Sequence, residues 1–141
     1  MTHVSRSTED TKRIAADFAR TLRGGELVLL EGELGAGKTT FAQGLCEALG
    51  VQGPVRSPTF AILHAYDADA GAIRRVAHLD LYRFKKPEEA LELGLDDWLD
   101  RPDAVVLAEW PSLGGEHLTA RVVRRAVFSK TGAEERSIML E

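Results

Sequence analysis

The glycine-rich segment at residues 32–39 constrains this chain more than any other part of it. Its sequence, GELGAGKT, fits the pattern G-x-x-x-x-G-K-[ST]. An apolar run at residues 27–30 precedes it and suits a strand covered on both faces, and a helix-forming run at residues 38–49 follows it. A strand, a glycine turn and a helix in this order predict a loop whose N–H groups and positive helix end attract phosphate groups.

Each residue type in this segment has a physical role in binding phosphate or Mg²⁺. Gly35 and Gly37 allow the backbone angles that turn successive N–H groups inward. Lys38 reaches the β- and γ-phosphate oxygens as a point charge, and the Thr39 hydroxyl is placed to bind Mg²⁺. A chance match on a structural turn is the alternative, which the surrounding strand and helix disfavour. We therefore predict a site for ATP or ADP with Mg²⁺, contacted by Gly35, Ala36, Gly37, Lys38, Thr39 and Thr40. Lys38 is also expected to take part in catalysis.

The rest of the chain predicts an α/β fold. Residues 7–10 have the form of a capping box before a first helix, which Gly24 and Gly25 close. Residues 67–71 read as the turn of a hairpin. We expect one P-loop NTPase-like domain over residues 1–141, with a central mixed β-sheet flanked by helices and with antiparallel strand additions. The strand-forming runs are residues 27–30, 60–66, 73–81, 104–108, 121–128 and 137–140.

An acidic residue ends the apolar run at residues 104–108. P-loop enzymes usually hold Mg²⁺ with a second carboxylate at the end of a neighbouring strand. Glu109 stands at this position, although Asp is the commoner residue there, and we predict that it binds the metal and takes part in catalysis. Trp110 follows and is expected near the nucleotide pocket. An ordinary strand end is the alternative interpretation.

Two further segments are candidates for the chemistry. His78, Asp80 and Tyr82 alternate with leucines and share one strand face. Asp80 is placed to orient or deprotonate the attacking water or to hold a metal-bound water, although such alternation alone more often marks a solvated face. A segment between the second helix and the hairpin is a candidate switch that senses the γ-phosphate, or else a simple turn into a strand. It consists of Ser57, Pro58, Thr59 and Phe60.

Composition limits where such a protein works. The net charge of −4 gives no general attraction to nucleic acid or anionic lipid. The chain has a single cysteine, Cys46, so it cannot form an internal disulfide, which fits a reducing compartment. We expect Cys46 to be a small core residue. No run has the length of a membrane span, so we expect a cytoplasmic protein without membrane contact.

Taken together, these motifs resemble the TsaE family, formerly YjeE. The resemblance runs in order from about residue 7 to residue 110 and weakens after Pro111. Glu33 stands where the family often has Asp, and Ala108 where it often has a larger aliphatic residue, but neither removes a functional group. The motifs are GELGAGKTT at 32–40, SPTF at 57–60, HLDLYR at 78–83, LGL at 93–95 and EWP at 109–111.

The resemblance implies an ATPase that bacteria require to form threonylcarbamoyladenosine in tRNA. Its partners would be the proteins TsaB and TsaD, of which TsaD transfers the threonylcarbamoyl group to the adenosine after the anticodon. ATP hydrolysis would sustain turnover of the TsaB–TsaD complex. The complex would contact tRNA, so the contact of this chain with tRNA would be indirect. The family implies a catalytic Asp80, magnesium at Thr39 and Glu109, Trp110 close to the nucleotide, and the switch at residues 57–60. Thr11 matches a threonine that often lies near the nucleotide.

Other functions compete with this interpretation. A GTPase is disfavoured, because the chain has no asparagine and no Thr-Lys-x-Asp segment after the loop. A small-molecule P-loop kinase remains an alternative, although the basic pairs at 74–75 and 124–125 sit in strand-like stretches rather than in a lid. A binding module gated by nucleotide without significant turnover is the non-enzymatic alternative.

Overall fold

The computed structural model describes residues 1–33, 35–53, 55, 63–80, 94–109 and 123–141, and of Asp80 the backbone only. These residues form seven strands and three helices. The α/β fold class is as predicted. The strands are β1 (Thr2–Ser5), β2 (Leu27–Gly32), β3 (Leu63–Ala70), β4 (Ile73–Asp80), β5 (Ala104–Glu109), β6 (Val123–Lys130) and β7 (Arg136–Leu140). The helices are α1 (Thr8–Ala19), α2 (Lys38–Ala48) and α3 (Leu95–Asp100). No helix of the described residues is long and apolar enough to cross a membrane.

All seven described strands belong to one mixed sheet in the order β1-β7-β6-β2-β5-β4-β3. Strands β6, β2, β5 and β4 run parallel to one another. Antiparallel pairing extends both edges: β7 pairs with β6 and β1 with β7 at one edge, and β3 pairs with β4 at the other. The predicted mixed sheet with antiparallel additions is therefore confirmed.

The two central strands carry side chains into both layers of the core. Val28, Leu30 and Leu107 point to the face that α1 and α2 cover, where they pack with Phe41. Leu27 and Leu29, together with residues of β4 and β5, pack on the opposite face against α3. The unbroken apolar runs of β2 and β5 reflect this burial on both faces, which is typical of parallel strands.

Helix α1 begins as its sequence predicts but ends earlier. The Ser7 side chain accepts a hydrogen bond from the Asp10 N–H at 3.0 Å. The helix stops at Ala19, several residues before the glycine pair that was expected to close it. Gly24 instead passes close to the segment between α3 and β5, where an added Cβ would lie 2.3 Å from the Pro102 carbonyl oxygen. The absent side chain thus permits a close approach of two backbones.

The hairpin turn lies later than predicted. Residues 67–70 belong to β3, and the turn is formed by Gly71 and Ala72. Within the strand the register shifts between Asp67 and Ala70, as in a β-bulge, and the Asp69 N–H donates to the Leu49 carbonyl at 2.8 Å. This bond to the end of α2 keeps a turn-like sequence extended.

Strand β1 was not predicted, because its four residues carry little apolar periodicity. It forms by pairing with β7, and Ser5 is the residue of β1 that is fully buried. Cys46 has the expected core position on α2, where burial raises the pKa of its thiol to about 12.

We predict that replacing Phe41 with alanine lowers the free energy of unfolding by about 3–5 kcal/mol. The ring is fully buried and lies 6.0 Å from the Phe18 ring and 5.3 Å from the Phe128 ring. It therefore ties α1, α2 and β6 together, and truncation leaves a cavity. Denaturant unfolding would measure the change. Met139→Ala, at a side chain 38% exposed, is the control and should cost less than about 1 kcal/mol; equal losses would contradict the prediction.

Candidate functional site

The strand register brings the predicted site residues to one edge of the sheet. Glu109, the last residue of β5, pairs with Leu30 of β2 on one side and with Asp80 of β4 on the other. The glycine-rich turn begins two residues after Leu30. Neighbouring strands lie about 4.8 Å apart, so the turn, Glu109 and the backbone of Asp80 occupy the same carboxyl edge. In open sheets with parallel strands, ligands bind at this edge.

The turn has the backbone geometry of an anion-binding loop. Gly35 and Gly37 adopt positive φ angles of 80° and 102°, and Gly37 is the N-cap of α2. The Ala36 N–H donates to the Glu33 carbonyl at 3.1 Å, which closes a tight turn. No acidic residue stands in the first turn of α2. The positive end of the helix dipole is therefore not neutralised by its own side chains.

Lys38 lies under the loop rather than in solvent. It is 5% exposed, and its Nζ donates to the Gly32 carbonyl oxygen at 2.6 Å. Thr39 and Thr40 follow in the first turn of α2 and are half-buried. A lysine and two threonines thus follow one another where the first turn of the helix meets the loop.

Glu109 carries a partner that the sequence did not single out. His78 Nε2 lies 3.0 Å from Glu109 Oε2, and both side chains are buried. The face that carries His78 was open to a solvated interpretation, but the residue is 0% exposed. The alternation holds at His78 and Leu79, because Leu79 packs in the opposite layer. A histidine two residues before a candidate acid was the signal available in the sequence.

Arg136 is a second residue that sequence analysis missed. It stands at the start of β7, and its Nη2 donates to the Gly35 carbonyl at 3.3 Å. Its side chain also passes over Gly37, where an added Cβ would lie 3.1 Å from the Arg136 Cδ. The contact spans 101 residues of sequence, so only the pairing of β7 with β6 reveals it.

A cleft of about 340 Å³ lies beside the loop at Arg136. The start of α1 and the turn before β7 form its walls, which consist of Arg6, Ser7, Thr8, Ala133, Glu134 and Arg136. Thr11 is one helical turn further on and is buried, with its hydroxyl 2.6 Å from the Ser5 hydroxyl. The structure thus lines this cleft with Thr8 rather than Thr11, and a nucleotide contact for Thr11 stays a prediction.

Several predicted site residues fall outside the described part of the chain. These are the candidate switch, Ser57, Pro58, Thr59 and Phe60, and also Trp110. The side chain of Asp80 is not described either, although its backbone places it next to Glu109. Their roles, and those of the loop residues and Glu109, stay predictions.

The sheet, the glycine turn and the helix that follows it define a P-loop NTPase-like α/β fold. A crystal structure of Bacillus subtilis YdiB superposes on the chain with a TM-score of 0.74 at 31% identity, covering 99% of this chain and 83% of that one. The family model of the threonylcarbamoyl adenosine biosynthesis protein TsaE matches residues 5–138. The chain therefore belongs to the TsaE family of tRNA threonylcarbamoyladenosine biosynthesis proteins.

Relatives from different bacteria agree with this assignment. The tRNA threonylcarbamoyladenosine biosynthesis protein TsaE of Bacillus subtilis is 38% identical over 130 residues, which is 92% of this chain and 78% of that protein. The protein of the same description from Streptomyces coelicolor is 38% identical over 121 residues, 86% of this chain and 80% of that protein.

We predict that Arg136→Ala loosens the glycine loop. Losing its hydrogen bond to Gly35 should speed hydrogen exchange of the loop amides about 2- to 10-fold, which corresponds to a bond of about 0.5–1.5 kcal/mol. Mass-spectrometric exchange of the peptide covering residues 33–40 would measure this. Arg6→Ala is the control, because Arg6 is exposed and pairs with Glu135. Unchanged exchange in Arg136→Ala would contradict the prediction.

Proposed function

We propose that this protein is a Mg²⁺-dependent ATPase whose hydrolysis of ATP sustains the TsaB–TsaD transferase in threonylcarbamoyladenosine formation. Family membership supports the pathway, and the loop geometry supports the nucleotide. The observation that carries the proposal is the pair of positive φ angles at Gly35 and Gly37 immediately before α2, with Lys38 held beneath the loop.

A triphosphate fits this loop for electrostatic reasons. The first N–H groups of a helix have no partners within the helix, and they point towards the space in front of its N-terminus. With no acidic side chain in the first turn of α2, a phosphate there meets the positive dipole end without repulsion from that turn. Lys38 is buried close enough to the loop to exchange the Gly32 carbonyl for a phosphate oxygen.

The residues present also fit magnesium. Thr39 offers a hydroxyl from the first turn of α2, and Glu109 offers a carboxylate at the same edge of the sheet. Mg²⁺ takes oxygen ligands and is usually held by one or two protein groups together with phosphates and water. When bound, the ion would neutralise charge on the phosphate oxygens. Asp80, next to Glu109 in the sheet, would orient or deprotonate the attacking water.

The cleft beside Arg136 supplies room for the rest of a nucleotide. At about 340 Å³ it falls within the range of small-molecule sites. It opens next to the loop, because Arg136 both lines the cleft and contacts Gly35. Hydroxyl groups of Ser7 and Thr8 in its wall offer hydrogen bonds to a ribose or base.

We predict that Lys38→Ala weakens ATP binding about 10- to 100-fold, the effect of losing a hydrogen bond to a charged group. The substitution removes the cation that offsets charge on the β- and γ-phosphates. Calorimetric titration would measure the affinity. Lys12→Ala is the control, since Lys12 is on the surface and pairs with Glu47. Equal affinities in both variants would contradict the phosphate role of Lys38.

Phosphate release with and without TsaB–TsaD tests the activity itself. We expect slow turnover by the isolated chain and faster turnover in the complex. Both described cations at the loop, Lys38 and Arg136, already donate to backbone carbonyls. A further cation from a partner would therefore speed turnover. Equal rates would contradict stimulation by the partners. A phosphorylated metabolite formed in step with ADP, without free phosphate, would identify a kinase instead, and binding without turnover would identify a gated module.

A further inference from the structure

One buried polar side chain in the described residues contacts the proposed site without having a role of its own in the proposed function. The buried polar and charged residues are Ser5, Thr11, Glu26, Lys38, His78 and Glu109. The two hydroxyl groups bond to each other, and Glu26 accepts two backbone N–H groups in the turn before β2. Lys38 and Glu109 belong to the proposed site. His78 remains, and its contact is with Glu109.

We propose that His78 is a positioning residue for the Glu109 carboxylate. Its Nε2–H donates to Oε2 of Glu109 and so fixes the carboxylate with Oε1 available to the magnesium ion of the nucleotide complex. This inference rests on the proposed function. It adds a residue that acts on the site through Glu109 and does not itself touch the nucleotide.

The register explains how the two side chains meet. His78 pairs with Leu107, and Glu109 stands two residues further along β5, so both side chains project from the same face of the sheet. Helices α1 and α2 cover that face, and α2 is the helix that carries Lys38 and Thr39. Glu109 is therefore held on the side of the sheet where the phosphate loop begins.

The surroundings of the imidazole ring decide which nitrogen carries the proton. Nδ1 is buried and has no hydrogen-bond partner among the described residues. A proton on Nδ1 would be a buried donor without an acceptor, and Nε2 would then direct its lone pair at the Glu109 oxygen. A proton on Nε2 instead makes a donor–carboxylate bond at 3.0 Å. The structure thus assigns the tautomer with the proton on Nε2.

The bond to His78 leaves the carboxylate asymmetric. Oε2 is occupied by the histidine, whereas Oε1 accepts no hydrogen bond from the described residues. A carboxylate that can rotate freely loses conformational entropy when it binds a metal, and this loss weakens binding. A carboxylate that is already fixed by a hydrogen bond does not incur this loss on binding. Outer partners of this kind typically change metal affinity or activity about 10- to 100-fold when they are removed.

Two substitutions separate the hydrogen bond from the shape of the side chain. His78→Leu fills a similar volume without a donor, whereas His78→Gln places an amide N–H near the position of Nε2. We expect His78→Leu to weaken Mg²⁺ binding to the ADP complex about 10- to 100-fold and His78→Gln to recover most of the loss. Metal-free ADP affinity should change by less than about twofold in both, since His78 does not touch the nucleotide.

The measurements are titration of ADP without metal, titration of Mg²⁺ into the saturated complex, and thermal unfolding of each variant. Unchanged Mg²⁺ affinity in His78→Leu would overturn the proposal, as would glutamine behaving like leucine. Equal losses in metal-free ADP affinity and metal affinity would show a structural role instead. If His78→Leu does not fold, nitrogen NMR of the wild-type imidazole still tests the pairing with Glu109.

Nitrogen NMR of the wild-type imidazole tests the pairing without any nucleotide. We expect the proton on Nε2 and a shift of that signal in Glu109→Gln. A proton on Nδ1 would overturn the positioning role while leaving the proposed function intact. If the wild-type protein does not bind ADP at all, the proposed function is wrong. The claim that His78 orients Glu109 for magnesium is then wrong as well.

Discussion

The parallel pairing of β2 with β5 brings the glycine loop and Glu109 together at the candidate site. Four consecutive residues of β2, from Leu27 to Leu30, pair with the last four of β5, ending at Glu109. Because both strands point the same way, the turn after β2 and the acid at the end of β5 emerge at one edge. The apolar side chains on both faces of these strands hold the register, since a slip by one residue would exchange the two layers of the core.

The same packing explains why polar groups can be buried at that edge. Lys38, His78 and Glu109 are each less than a tenth exposed, and each makes a hydrogen bond there. A buried charge is tolerated only with such partners, because burial removes its hydration. Phe41, three residues after Lys38, anchors α2 on the apolar layer directly behind these groups. A rigid core thus supports a polar edge, which is the arrangement that a binding site requires.

Much of the fold followed from local sequence patterns, and the exceptions have physical causes. The apolar runs of β2 and β5 predicted buried strands because such runs suit few other environments. Two predictions were wrong: the end of α1 at the glycine pair 24–25, and the hairpin turn at residues 67–71. In each segment a distant residue sets the backbone conformation. Gly24 lies against Pro102, and Asp69 bonds to Leu49. Strand β1 was missed because its pairing with β7, and not its own apolar content, makes it a strand.

The sequence by itself determined the glycine turn, the helix that follows it and the acid that ends β5, because each depends on a few adjacent residues. Only the tertiary structure decided which groups surround them. His78 reaches Glu109 across 31 residues of sequence, and Arg136 reaches Gly35 across 101. Such contacts arise from strand order and register, which many distant residues set together, so a local pattern does not show which residues meet.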